Sequence, residues 1–282
     1  MILFKKTVHL QHYLQDARKQ GKNIGLVPTM GALHAGHLSL IDNSKQQNDL
    51  TVASIFVNPA QFNDKKDFEK YPVTIERDIE LLAAAGCDVL FWPSVDEIYP
   101  NGYTQPVHYD LGYLETLLEG KYRPGHFQGV CRVMNRLLDI IPPDNLYMGQ
   151  KDYQQCMVVS RLLQIMHSPA HLHTCPTLRE PDGLAMSSRN TRLNKTEREN
   201  AVAISAALKF IKENIQPGNV FAVIERSKQM LEEKEFSIDY IAIADAATLE
   251  PVENWDGKQK LVALIAAFQH EVRLIDNMVL NP

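Results

Sequence analysis

The sequence predicts an α/β protein, with a parallel sheet carrying helices on both faces up to about residue 176 and a smaller α+β domain after it. Two observations predict this. Short apolar runs alternate with helix-period runs five times before residue 176, and a parallel sheet needs that order because each crossover returns over one face. The runs are also apolar nearly throughout, as in Thr51-Val-Ala-Ser-Ile-Phe-Val57. A strand covered on both faces has no polar side to alternate with.

Residues 7–20 place Val8, Leu10, Tyr13, Leu14 and Ala17 on one helical face. Ile24–Val27 reads as a strand ended by Pro28, which has no N–H for a ladder. Gly31 and Gly36 turn the chain, and a helix runs from about His37 to residue 47. Thr51–Val57 is the next strand and leads into the polar loop Asn58–Asn63. A helix over Glu76–Ala85 stops at Gly86, and Asp88–Phe91 is a strand. Residues 93–126 are rich in Pro, Gly and Tyr without a period, so long loops with short helices are expected. Cys131–Ile141 is helical until Pro142-Pro143. Asn145–Met148 is a strand, Gly149–Asp152 a turn, 153–167 a helix and His171–Cys175 a strand. Beyond a polar loop at Leu178–Asn194 come helices over 196–214 and 219–233, then strand-like runs at Asp239–Ala244, Leu261–Phe268 and Val272–Ile275. Domains 1–176 and 177–282 follow from this change of pattern.

A chain of 282 residues with a net charge of −5 offers no global field for nucleic acid or an anionic membrane, so neither partner is expected. An anionic substrate must be held by a local cluster. The four cysteines, Cys87, Cys131, Cys156 and Cys175, form neither a metal knuckle nor a small disulfide framework, which suits a reducing cytoplasm. The N-terminus, Met1-Ile-Leu-Phe-Lys-Lys, lacks the order of a signal peptide. No apolar stretch reaches the roughly 20 residues that span a bilayer.

Chemistry concentrates in a few places. Val27-Pro-Thr-Met-Gly-Ala-Leu-His-Ala-Gly-His37 sets a strand, a glycine turn and a helix start in succession. Unpaired N–H groups and the helix dipole make that an anion site, with His34 and His37 at its mouth. Two histidines at a helix start can also be a surface cap, and they are a poor zinc site without a third ligand. Asp182-Gly-Leu-Ala-Met-Ser-Ser-Arg-Asn190 offers two hydroxyls and a forked guanidinium suited to phosphate oxygens, though alone it could be a capping loop. Gly149-Gln-Lys-Asp152 lies at a sheet-rim turn, where Lys151 could equally be a solvated surface residue. Gln61 and Gln155 are neutral amides able to recognise hydroxyl and carboxyl groups. Arg123-Pro-Gly-His126 reads only as a loop.

Together, H-x-G-H and M-S-S-R resemble the paired signatures of nucleotidylyltransferases. The full set VPTMGALHAGH (27–37), SIFVNPAQF (54–62), YP (71–72), EIYPNG (97–102), LEGKYRPGHFQGV (118–130), GQKDYQQ (149–155), DGLAMSSRN (182–190) and RLIDNM (273–278) is similar to the pantoate–β-alanine ligase family from end to end. The resemblance implies a Rossmann-like N-terminal domain, a smaller C-terminal domain closing over the cleft, and a homodimer. It implies ATP, pantoate and β-alanine as substrates, with Mg²⁺ accompanying ATP. It assigns Met30, Gly31, Ala32, Leu33, His34, Ala35, Gly36, His37, Gly149, Gln150, Lys151, Asp152, Leu178, Met186, Ser187, Ser188 and Arg189 to the ATP site. His37, His34, Lys151 and Arg189 are the expected catalytic residues, Gln61 and Gln155 hold pantoate and β-alanine, and Asp78 is a candidate Mg²⁺ contact. Gln150 departs from the family's usual Glu in G-E-K-D. A tRNA-charging enzyme shares both signatures but needs a basic surface that a net −5 chain does not supply.

Overall fold

The computed structural model describes residues 1–63, 65–103 and 107–280. Residues 104–106, within the stretch expected to be loops, lie outside them. In order the first part holds β1 (Ile2–Phe4), α1 (Thr7–Lys19), β2 (Ile24–Thr29), α2 (Ala35–Gln47), β3 (Leu50–Ile55), α3 (Lys65–Glu69), α4 (Ile75–Ala84), β4 (Val89–Phe91), α5 (Val95–Ile98), α6 (Leu118–Tyr122), α7 (His126–Ile140), β5 (Asn145–Gly149), α8 (Tyr153–Ile165) and β6 (His171–Cys175). Among the described residues the strands form one six-stranded parallel sheet in the order β1-β4-β3-β2-β5-β6.

Every residue of β3 is buried, as its unbroken apolar run requires. Val27, Ile41, Ala53, Leu82 and Leu90 meet in the core beneath α2 and α4. The approach of α2 to β2 depends on Gly25, where an added Cβ would stand 2.2 Å from Ser44 Oγ. All four cysteines are buried.

Several boundaries differ from the sequence expectation, among them α7, which begins at His126 within the stretch read as a loop rather than at Cys131. β1 was not anticipated; it is only three residues long and pairs at the sheet edge with β4. β2 continues through Pro28, which registers with Ser54. Thr29 turns its carbonyl to Phe56 on the β3 side, so by strand alternation Pro28 faces the β5 side. There the ladder has already ended after Gly25 and Leu26, and the missing N–H costs nothing. α2 begins at Ala35, with His34 as its extended N-cap. The left-handed residues of the turn are Gly31 (φ 82°) and Ala32 (φ 49°); Gly36 is already helical.

The chain divides into two compact units, the first comprising Met1–Gln150 and Gln154–Pro176 and the second Lys151–Tyr153 and Thr177–Pro282. The second holds α9 (Lys195–Asn214), β7 (Gly218–Asn219), α10 (Phe221–Glu232), β8 (Phe236–Asp245), β9 (Asn254–Trp255), β10 (Leu261–Gln269) and β11 (Val272–Val279). β8, β10 and β11 form an antiparallel sheet with β10 in the middle. Leu261, Ala263, Ile265 and Ala267 share one face of β10 and pack with Ala201, Ile204, Leu208 and Ile211 of α9, which are spaced for one helical stripe.

Candidate active site

The strand order reverses between β2 and β5: from β2 the chain steps outward through β3 and β4, then returns to add β5 and β6. Ligands of open α/β sheets sit at the carboxyl ends beside such a reversal. The stretch leaving β2 is Met30–His37, and the stretch leaving β5 begins at Gly149.

The turn after β2 is built by its neighbours. Thr29 Oγ1 donates to the Ser54 carbonyl at 2.8 Å and accepts the Gly31 N–H at 3.2 Å. The next two N–H groups point at Asp78 in the first turn of α4: Ala32 N–H donates to Oδ2 at 2.9 Å and Leu33 N–H to Oδ1 at 2.8 Å. Thr74 Oγ1 adds a third donor at 3.1 Å. Asp78 is buried, 1% exposed, and these donors replace the water that a carboxylate would otherwise need. This geometry makes Asp78 the internal anchor of the turn. Among the described residues no group of three or more His, Cys, Asp and Glu side chains could hold a metal.

The two histidines are fixed by the same turn. His34 Nδ1 accepts the Gly36 N–H at 3.2 Å, and His37 Nδ1 accepts the His34 N–H at 3.4 Å. Their ring centroids are 4.1 Å apart. A neutral imidazole whose Nδ1 accepts carries its proton on Nε2. Each ring therefore has its Nε2–H as a donor near the start of α2, where the helix dipole already favours an anion.

Gln61 closes the short 3₁₀ turn Pro59–Gln61 beyond β3. Its amide N–H donates to Met30 Sδ at 3.1 Å, and its Oε1 accepts from Asn58 Nδ2 at 3.0 Å. Met30 and Gln61, both predicted from the sequence, are thus side by side. Asn58 was missed. Its Nδ2 also donates to the Gly129 carbonyl at 3.1 Å, while its Oδ1 accepts Ala60 N–H at 3.2 Å and Tyr99 O–H at 2.8 Å. Burial pushes the Tyr99 phenol up, keeping it in its donating form. With its amide groups engaged on every side, Asn58 orients Gln61; the available signal was Asn-Pro at a strand end, an N-cap followed by Pro. Gln155 is half-buried on α8. Its neighbour Gln154 is structural, bonded to Leu114, Leu117 and Glu119.

Gly149 ends β5 and Gln150 follows it in the first unit, while the second unit carries Lys151, Asp152, Leu178 and Met186–Arg189. Lys151 and Asp152 lie in the segment Lys151–Tyr153. Asn277 Nδ2 donates to the Lys151 carbonyl at 2.8 Å, and Tyr153 O–H donates to the Ala246 carbonyl at 2.6 Å. Beside Asn277, the buried Asp276 takes a two-pronged bond from Arg179, at 2.6 and 3.0 Å. Burial pushes the Asp276 carboxyl up and Arg179 pulls it back. The 178–187 stretch folds on itself: Met186 N–H donates to the Leu178 carbonyl at 3.0 Å, and Gly183 takes φ 96°. Ser187 caps a short 3₁₀ helix, Ser188–Arg192, by accepting the Arg189 N–H at 3.3 Å. Ser187, Ser188 and Arg189 are thereby tied together in one capped turn. Asn277 and Asp276 were legible only as part of RLIDNM.

The likeness to known proteins covers the whole chain. A family model described as pantoate-beta-alanine ligase matches residues 2–279. The chain is 45% identical to a pantothenate synthetase of Moorella thermoacetica over 284 residues, 100% of this chain and 99% of the relative. It is 43% identical to one of Bacteroides thetaiotaomicron over 282 residues, 97% of this chain and 98% of the relative. The crystal structure of a Thermus thermophilus pantothenate synthetase superposes with a TM-score of 0.92 at 40% identity, covering 100% of both chains. A Francisella tularensis pantoate-beta-alanine ligase, described as complexed with beta-gamma ATP and beta-alanine, superposes with a TM-score of 0.84 at 37% identity, covering 99% of this chain and 97% of that one.

Proposed function

The chain belongs to the pantoate–β-alanine ligase family, and from that membership we propose that it joins pantoate to β-alanine at the expense of ATP. In this reading the pantoate carboxylate attacks the α-phosphorus of ATP, pyrophosphate leaves, and the β-alanine amine then attacks the acyl carbon of pantoyl adenylate and expels AMP. The observation that carries it is the pair of Nε2–H donors on His34 and His37 above a turn anchored by Asp78.

The first step is an in-line displacement at phosphorus, so the protein's task is alignment and stabilisation of charge. His37 is assigned the proton-bearing role at the α-phosphate and leaving oxygens, and His34 the binding role beside it. Met30, Gly31, Ala32, Leu33, Ala35 and Gly36 present backbone to ATP, with Gly149 at the end of β5 and Gln150 after it. On the second unit, Lys151 and Arg189 supply positive charge, Ser187 and Ser188 supply hydroxyls for the pyrophosphate, and Asp152 serves phosphate or ribose. Leu178 contacts the adenine region through its backbone, and Met186 completes the ATP site. Gln61 and Gln155 hold pantoate through neutral amides, which recognise its hydroxyls without a competing charge. Mg²⁺ arrives with ATP as part of the substrate.

This reading includes a homodimer in the cytoplasm; no helix among the described residues is long and apolar enough to cross a membrane. The deciding experiment follows AMP release with ATP, pantoate and β-alanine, omitting each in turn. AMP should require all three, and pyrophosphate exchange into ATP should require pantoate alone. Exchange that proceeds equally without pantoate would overturn the assignment.

A further inference from the structure

We propose that His126, oriented by Arg123 and Glu119, is a positioning residue that fixes the backbone of Gln61 and through it the recognition of pantoate. The inference rests on the assignment of Gln61 to pantoate made above. His126 opens α7 and is 5% exposed. Its Nδ1 lies 2.8 Å from the Gln61 carbonyl oxygen, and its Nε2 lies 3.2 Å from Arg123 Nη1. A guanidinium has only donors, so Nε2 must accept and carries no proton. The proton is then on Nδ1, where it is donated to the Gln61 carbonyl. Arg123 selects the tautomer that Gln61 needs.

Arg123 is itself held. Its Nη1 stands 3.6 Å from the Glu119 carboxylate, and both side chains are largely buried. A buried ion pair is weak evidence for stability, because desolvation offsets much of its attraction. Here it sets the direction of a guanidinium, and the order Glu119, Arg123, His126, Gln61 runs from the buried charge to the recognition turn.

Two further features of α7 converge on the same turn. The Gly129 carbonyl accepts from Asn58 Nδ2, the amide that also orients the Gln61 side chain. A Cβ at Gly129 would stand 2.0 Å from the Ala60 carbonyl oxygen and 2.6 Å from Gln61 Cα. The helix therefore presses its backbone against the turn, with glycine required at the contact. Gln61 is gripped twice, by its backbone through His126 and by its amide through Asn58.

The test compares His126→Ala with His126→Asn, whose side-chain amide can place a donor where Nδ1–H stands. His126→Ala should lower kcat/KM for pantoate by about tenfold or more, the loss of a buried hydrogen bond read as an affinity ratio. The KM values for ATP and β-alanine should stay within about twofold, and His126→Asn should recover most of the loss. Equal losses toward all three substrates, or a lowered melting temperature with unchanged pantoate kinetics, would overturn the proposal. ¹⁵N–¹H correlation of the histidine rings gives a readout that needs no turnover: His126 should show the Nδ1–H tautomer in the intact protein and lose that preference in Arg123→Met. An Nε2–H tautomer in the intact protein would overturn it even if His126→Ala fails to fold. Absence of pantoate-dependent exchange in the unmutated enzyme would instead refute the underlying assignment of function.

Discussion

Asp78 reaches back across 46 positions to accept the N–H of Ala32 at 2.9 Å. Its other oxygen takes Leu33 N–H at 2.8 Å, so one side chain of α4 holds the left-handed corner from which both histidines spring. The corner has little room to shift, since a Cβ on Gly31 would meet Asp78 Oδ2 at 3.0 Å.

Asp78→Ala should destabilise the fold, because two buried N–H groups lose their acceptor at about 1–3 kcal/mol each. Asp78→Asn should keep the volume but set an amide N–H₂ against one of those donors. Pantoate-dependent exchange should then fall at least about tenfold while the Mg²⁺ concentration for half-maximal rate stays the same. A large shift in Mg²⁺ demand would support a metal contact at Asp78.

His37→Ala and Lys151→Ala should each cut adenylate formation by roughly a hundred- to a thousandfold, the usual loss for one preorganised donor at a developing charge. Circular dichroism should remain that of the parent. Near-parental exchange rates in either variant would remove that residue from the chemistry.

Asn277→Ala should weaken ATP turnover without touching a substrate directly. Its amide is the partner of the Lys151 carbonyl at 2.8 Å, and losing a hydrogen bond of about 1 kcal/mol corresponds to roughly a fivefold effect. The effect should vanish in a Lys151→Ala background when the two are combined in a double-mutant cycle. Simple additivity would mean that Asn277 acts elsewhere.

The acid limb of stability should be set by carboxylates that their partners hold low, among them Asp16 and Glu97 in the first unit and Asp182 and Asp245 in the second. The Arg198 guanidinium beside Asp182 holds its carboxyl below the ordinary value, and the Gln259 amide does so for Asp245. Such a group stabilises the fold fully above its unfolded pKa, about 3.9, and ceases to as pH falls through the lower folded value. Asp276 has the opposite sign. Burial raises it despite Arg179, so its contribution is lost as pH rises from its unfolded value through its higher folded one. Melting temperature followed against pH should show a shallower fall below about pH 4 in Asp182→Asn; an unaltered fall would argue against the pair with Arg198.

What could be read from sequence was local. The continuous apolar run of β3 announced a strand buried on both faces, and H-x-G-H announced a helix start because cap, glycine and histidines adjoin. Strand order is not local, so Pro28 looked like an end when it faces a side where the ladder has already stopped. β1 was too short to show a period. The anchors of the site were hidden for the same reason. Asn58 looked like loop polarity until Tyr99 and Gly129 closed around it, and Asp78 carried no mark of a partner 46 positions earlier.

The segment Lys151–Tyr153, grouped with the second unit while lying inside the sequence of the first, bears on how the enzyme matures during translation. The strands of the parallel sheet are all made by Cys175, so the first unit can fold early, as N-terminal units generally do. Lys151 cannot be seated then, because Asn277 follows it by 126 positions. At about 5–20 residues per second, roughly 6–25 seconds separate the two on the ribosome. A nascent chain thus has its sheet well before the Asn277 amide can hold the Lys151 carbonyl.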